Sequence, residues 1–233
     1  MAIPARRFEV KLTCRGICLP WVRSWVRLHP DAFVEAYPRR RVNNLYFDTF
    51  EMGSLNDHLN GVGERGKLRL RWYGEGYSAV RGVLELKLRS NRLGWKSYCR
   101  IPQTFDLTTI SWKDLLGYMR TFAEGEHALA LARADRPTLL NSYMREYYES
   151  GDREIRLTID SDQTAYEQLT HTAPNVRFPA HVESRVIVEV KSDPGLARRV
   201  SNILSAFPVP VERNSKYVEG MLDSMRFTNR RIR

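Results

Sequence analysis

Cysteine is scarce in this chain: its 233 residues include three, Cys14, Cys18 and Cys99. An odd, low count excludes a disulfide framework and points to a reducing compartment. Cys14 and Cys18 have the spacing of half a metal site, but no second Cys/His pair completes it. The five histidines show no ligand spacing either, so a structural zinc site is not expected. No apolar run approaches the ~18 residues of a membrane-spanning helix, and the N-terminal MAIPARRFEVKL lacks the apolar core of a leader. The expectation is a soluble, cytoplasmic protein without direct membrane insertion. Repeats, low-complexity tracts and a convincing linker are also missing, which leaves one domain over residues 1–233. With 42% hydrophobic residues, the chain is not a disordered one.

Positive charge is what the sequence has in excess. The formal net charge is +10 and the pI is about 9.7, which calls for an acidic partner: nucleic acid, a membrane surface or a phosphate-rich small molecule. Apart from NRRIR at the C-terminus, the cations are spread through strand-like segments. In KLRLRWY, Lys67, Arg69 and Arg71 alternate with Leu68, Leu70 and Trp72, the period-two pattern of a strand with two unlike faces.

The same pattern recurs along the chain. RRFEVKLTC (about 6–14) sets Arg7, Glu9 and Lys11 against Phe8, Val10 and Leu12. VRGVLELKLRS puts Glu85, Lys87 and Arg89 opposite Leu84, Leu86 and Leu88, and GWKSYCRIP has Lys96, Tyr98 and Arg100 on one side. EIRLTIDS carries Arg156, Thr158 and Asp160 on one face, and HVESRVIVEVKSD carries Arg185, Glu189 and Lys191. With RRVNNLYFDT (about 40–49) and LLNSYMREYYES, the count is eight strand candidates. Helices are predicted in LPWVRSWVRLHP, near 51–59, across 106–134 with a break near Gly125, and in the two C-terminal segments.

The helices need the aliphatic faces of the strands, so the charged faces must look away from them. Eight antiparallel strands are enough to close a barrel. A lumen of cations is costly unless a polyanion and a metal ion fill it. The expected fold is therefore α+β, an eight-stranded antiparallel barrel with amphipathic helices outside. A chain of phosphates is the expected partner of the lumen, with the few carboxylates as hard ligands for Mg²⁺ or Mn²⁺. Asp48 reads as a turn or cap residue. Trp21, Trp25 and Trp112 read as core, and Tyr98 and Tyr217 as packing residues.

RRFEVKL, VNNLYFDT, GKLRLRWYG, VLELKLRSNRLGWKSY, REIRLTIDSD, VIVEVKSD and ERNSKYVEGM, in that order, resemble the VTC domain. That domain is the polyphosphate polymerase module of the vacuolar transporter chaperone complex, a triphosphate tunnel metalloenzyme related to CYTH proteins. The resemblance implies a tunnel that binds ATP or another triphosphate, inorganic polyphosphate and a divalent cation (Mn or Mg). By motif it implies catalytic roles for Lys11, Arg69, Arg71, Lys87, Arg145, Arg156, Lys191 and Lys216. Glu189 falls at the metal-binding glutamate of the EVK motif, with Glu9 and Glu85 as further metal candidates. Arg7, Arg89, Lys96, Arg100 and Arg213 are the substrate-binding candidates. Arg7 stands where CYTH hydrolases carry the first glutamate of Glu-x-Glu-x-Lys, which favours the VTC branch, and Arg213 replaces a usual lysine. The activity implied is transfer of the γ-phosphoryl of ATP to a growing polyphosphate chain. A triphosphatase or a non-catalytic polyphosphate binder are the alternatives. Nucleic acid is not expected, because the cations track strand faces and not a groove-reading helix.

Overall fold

The alternation in KLRLRWY divides the molecule into two sides. In the computed structural model, which describes residues 8–90, 93–180, 182–207 and 215–231, Leu68, Leu70 and Trp72 are buried in one core. Lys67, Arg69 and Arg71 point to the other side of the sheet. All eight expected strands form: β1 (Phe8–Arg15), β2 (Val34–Asp48), β3 (Glu64–Tyr73), β4 (Val83–Ser90), β5 (Leu93–Arg100), β6 (Arg136–Glu149), β7 (Arg156–Glu167) and β8 (Arg185–Ser192). They make one sheet in the order β1-β8-β7-β6-β2-β3-β4-β5, with antiparallel neighbours throughout.

The expected closed barrel is not formed. β1 and β5 are the two ends of the strand order and do not pair among the described residues. Charge explains why. Both edge strands present cations, Lys11 on β1 and Lys96 and Arg100 on β5, and edge cations oppose further pairing. The sheet nonetheless curls: Lys87 of β4 feels the charges of Glu9 and Lys11 on β1, and Lys67 of β3 feels Lys11. Residues at opposite ends of the strand order therefore share one concave face.

The helices are α1 (Leu19–Arg27), α2 (Gly53–Leu59), α3 (Trp112–Phe122), α4 (Gly125–Arg133), α5 (Ala197–Ser205) and α6 (Lys216–Arg231). On the convex side, α3 and α4 cover β2–β5 through Leu45, Leu70, Leu84, Leu115 and Leu131. α1 and α5 cover β1, β7 and β8 through Leu12, Val22, Ile159, Val188 and Ile203. Trp112 joins the first core, while Trp21 is at the surface, 40% exposed, contrary to the core placement read from sequence. The segment before α3 is a turn and not helix: Asp106 accepts from the backbone and hydroxyl of Thr108, and Ser111 caps α3 by accepting from the Asp114 N–H at 3.1 Å.

Two helices lie on the concave side. α2 and α6 pack through Leu55, Tyr217, Val218 and Met221 on Tyr46, Leu139 and Ala165; Tyr46 faces Arg69 across β2 and β3, and Leu139 faces Tyr46. Gly220 allows the approach, since a Cβ there would sit 2.6 Å from Leu139 Cδ2. Asp48 is the cap expected of it. It accepts from Ser54 N at 2.8 Å, Leu55 N at 3.1 Å and the Tyr217 hydroxyl at 2.7 Å, tying α2 to α6.

Candidate functional site

The row of cations on the concave face is held by buried carboxylates. On β4, Glu85 is 1% exposed and accepts Arg69, with Arg71 at 3.2 Å and Lys96 at 2.9 Å. Burial works to raise the Glu85 carboxyl, but the three cations outweigh it and hold it far below the ordinary carboxylate range. Arg69 also donates to the Tyr46 hydroxyl at 3.2 Å, and Arg71 to Asn44 at 2.9 Å. These contacts come from period two on β2, β3 and β4, which sets Arg69 against both Tyr46 and Glu85.

The second cluster gathers on β1, β6, β7, β8 and the first residue of α6. Glu189 receives Lys11, Lys216 and Arg145, each at 3.3 Å, and Lys191. Arg145 grips Asp160 with two donors, one at 2.6 Å, and Lys216 adds a third contact to the same carboxylate. Glu9 stands beside them, 3.4 Å from Lys11 and 3.9 Å from Lys191. Burial opposes ionisation of Glu189, yet Lys191, Lys11, Lys216 and Arg145 keep it well below its usual value. Lys216 responds in the opposite direction: despite burial, Asp160 and Glu189 push its pKa up.

A third group of cations has no carboxylate partner within ion-pair distance among the described residues. Lys67 donates to Ser215 Oγ at 2.8 Å and lies 3.2 Å from His58 Nδ1; Lys87 is its cross-strand neighbour. Burial, with the charges of Lys87, Arg65 and Lys11, pushes Lys67 down to about 7. Burial takes Lys87 down to about 8, with Glu9 offsetting part of the effect; Lys96, which is paired with Glu85 and so stands outside this group, is also pushed down by burial, to about 7, with Glu85 offsetting part. His58 is pushed to about 4 by burial and by Lys67.

These shifts carry a prediction. Between about pH 7 and the ordinary lysine range the unfolded chain binds protons that the folded one does not, so stability rises with pH across that window. Thermal melting of the ligand-free protein should move upward from pH 6.5 to 9. Binding of tripolyphosphate at pH 8.5 should draw protons from the buffer, read as a calorimetric heat that depends on the buffer's ionisation enthalpy. Lys96, with 36% of its side chain exposed, contributes least. A melting temperature that falls over this range would contradict the assignment.

The remaining candidates lie at the edges of the face. Arg156 has the inward parity, opposite Lys191 and Glu149, and sits at a strand end, 57% exposed and 3.3 Å from Glu149. Arg89 and Arg100 are exposed at the ends of β4 and β5, and Tyr98, expected to pack, is 62% exposed. Arg7 and Arg213 lie outside the described residues. Lys67, His58, Asp160 and Tyr143 belong to the site without having been singled out for it. Lys67 and Asp160 share the parity of chosen neighbours and were legible on that ground. Tyr143, buried 4.8 Å beneath Lys216 Nζ and 5.3 Å beneath the Arg145 guanidinium, gave no signal.

Among the described residues no three His, Cys, Asp or Glu side chains converge as a ready metal site. Glu85 is fully engaged by its cations, as is Asp160. Glu9 and Glu189 are inward carboxylates on paired strands, close enough for Glu189 to raise the pKa of Glu9, and they share Lys11 and Lys191. Two carboxylates fit a Mg²⁺-type ion, which is usually bound through one or two carboxylates plus substrate phosphates.

A family model described as VTC domain matches residues 19–225. The chain belongs to the VTC domain family. No curated protein matches it in sequence. Among solved structures it is similar to a Hippeastrum protein described as a candidate adenylyl cyclase with a dominant triphosphatase activity. The TM-score is 0.51 at 15% identity, over 91% of this chain and 93% of that one. It is also similar to a candidate adenylate cyclase of Vibrio parahaemolyticus, with TM-score 0.49, 11% identity and coverage of 92% and 97%. At 15% identity the likeness to the Hippeastrum protein is one of fold. This VTC domain thus arranges its eight strands in an open, curled sheet.

Proposed function

We propose that this VTC domain is a divalent-cation-dependent phosphotransferase that passes the γ-phosphoryl of ATP to the end of a growing inorganic polyphosphate chain. The observation that carries the reading is the convergence, within a VTC-family chain, of Arg69, Arg71 and Lys96 on Glu85 and of Lys11, Arg145, Lys191 and Lys216 on Glu189 across one concave face. The carboxylates serve as internal counter-ions. They keep the cations ordered and are released when phosphate oxygens replace them.

Phosphoryl transfer asks the protein for positioning and charge neutralisation more than for covalent chemistry. Arg69 and Arg71 supply planar forks suited to bidentate phosphate contacts, and Lys11, Lys87, Lys191 and Lys216 act as point charges. Tyr46 and Asn44 hold the two guanidinium groups in orientation. Glu9 and Glu189 would hold the divalent ion, giving up Lys11 and Lys191 to the phosphates. When bound, the ion neutralises charge that develops on the transferring group. Glu85 is then a structural counter-ion and not a metal ligand.

A triphosphatase is the second reading, in which water accepts the phosphoryl group; the activity described for the Hippeastrum protein of similar fold favours it. Incubation with ATP and Mn²⁺, followed by a polyphosphate-stained gel and a phosphate assay, separates the two. Stained polymer supports the polymerase; phosphate release without polymer overturns it in favour of the hydrolase. Glu189→Gln should remove divalent-dependent turnover while tripolyphosphate binding measured in EDTA persists, because the cations remain. Unchanged turnover at saturating Mn²⁺ would take Glu189 out of the metal site.

A further inference from the structure

One end of the concave face carries a cluster that phosphate chemistry does not use. Arg40 lies 4.1 Å over the ring of Tyr73 and 5.0 Å over that of Tyr147, and its Nε donates to the Tyr147 hydroxyl at 3.1 Å. Tyr37 meets Tyr147 edge to face at 5.9 Å. Tyr73 and Tyr37 are 50% and 57% exposed. The cluster faces inward. Tyr73 continues the parity of Arg69 and Arg71 on β3, and Arg40 is the cross-strand partner of Arg145. The opposite end of β2 and β3 is where α2 and α6 cover the face, so this end is the one those helices leave open.

The backbone of β2 is bent to build this cluster. Tyr37 and Arg40 are three residues apart, so a regular strand would aim them to opposite faces. Register shifts between Glu35 and Tyr37 and between Tyr37 and Arg40 bring Tyr37 opposite Tyr147 and Arg40 opposite Arg145. Pro38, which has no N–H to give to the ladder, lies inside the shifted stretch. Bulges at sheet rims commonly re-aim a side chain toward a site.

We propose that Tyr73, Arg40, Tyr37 and Tyr147 form a stacking platform for the base of a nucleoside triphosphate whose phosphates lie on the cations of the concave face. The platform deepens the proposed function and rests on it. Tyrosine rings and guanidinium planes are the surfaces on which unpaired bases stack, with little regard to base identity. Tyr73 stands two residues, ~7 Å, beyond Arg71 along β3, within reach of a sugar and base attached to a phosphate held at Arg71. The platform therefore selects nucleotides over inorganic triphosphate and discriminates weakly among bases.

Calorimetric titration of the full chain with ATP and with tripolyphosphate, both in EDTA, tests this. Tyr73→Ala should weaken ATP binding about tenfold, within the range stacking contributes, and leave tripolyphosphate within about twofold. Tyr73→Phe should keep wild-type affinity for both, since the ring and not the hydroxyl is used. Arg40→Ala should follow Tyr73→Ala. Equal losses for both ligands, or no loss for either, would overturn the platform while leaving the phosphate site standing. Wild-type protein that binds neither ligand would overturn the phosphate site and the platform with it. Unchanged tripolyphosphate affinity in Tyr73→Ala shows that the variant is folded.

Discussion

Glu85→Gln should lower the stability of the ligand-free protein by about 3–5 kcal/mol, the cost of breaking a buried ion pair by removing one partner. The carboxylate is buried and is shared by Arg69, Arg71 and Lys96. Glutamine keeps the volume but leaves three cations facing one another at low dielectric. For a chain of this size the loss corresponds to a fall in melting temperature of roughly 6–20 °C. Tripolyphosphate should recover much of it, because phosphate oxygens provide the missing counter-charge. At about 100 times its dissociation constant, a ligand that binds only the folded state adds about 2.7 kcal/mol, and the upward shift should be larger in the variant than in wild type. A Glu85→Gln protein as stable as wild type would show that the cations do not depend on this carboxylate.

Arg69→Ala combined with Arg71→Ala should weaken tripolyphosphate binding by about 100-fold or more, since each hydrogen bond to a charged group contributes about 1.5–3 kcal/mol. Read from sequence, the lumenal cations repel one another, and removing two should raise the stability of the empty protein or leave it unchanged. The geometry reverses that expectation. Both arginines are paired to Glu85, Arg69 also to Tyr46 and Arg71 to Asn44, so the double variant strands a buried carboxylate on Lys96 alone. Its ligand-free melting temperature should fall, and tripolyphosphate should raise it little. Calorimetry and thermal melting of the same preparations check both halves. Retained tripolyphosphate affinity would remove the two arginines from the binding face.

The strands were legible because period two is a local property. Leu68, Leu70 and Trp72 against Lys67, Arg69 and Arg71 declare both the element and its two faces. Closure was not legible. It depends on whether two edges far apart in sequence can pair, and β1 and β5 resist that through the cations they carry. The early start of β2 at Val34 was hidden by Pro38, which reads as a break but is tolerated where the register shifts. Parity named most of the concave face and placed Glu85, Glu189, Lys11 and Lys191 together on it. Parity could not say how far along a strand a residue sits, which is why Arg156 read as lumenal and lies at the rim. Nor could it show that Glu85 would gather three cations and Glu189 four. That depends on the curl of the sheet and on α6 bringing Lys216 back across the chain to Asp160 and Glu189.

The central claim is that the carboxylates of the concave face hold places that phosphates take over. A structure of the protein with tripolyphosphate tests it most directly. The predicted result is a phosphate chain along the concave face, with Arg69, Arg71, Lys11 and Lys87 on its oxygens and Arg69 and Arg71 moved away from Glu85. Tripolyphosphate bound only on the convex, helix-covered side, or a concave face whose ion pairs stay intact at saturating ligand, would contradict it.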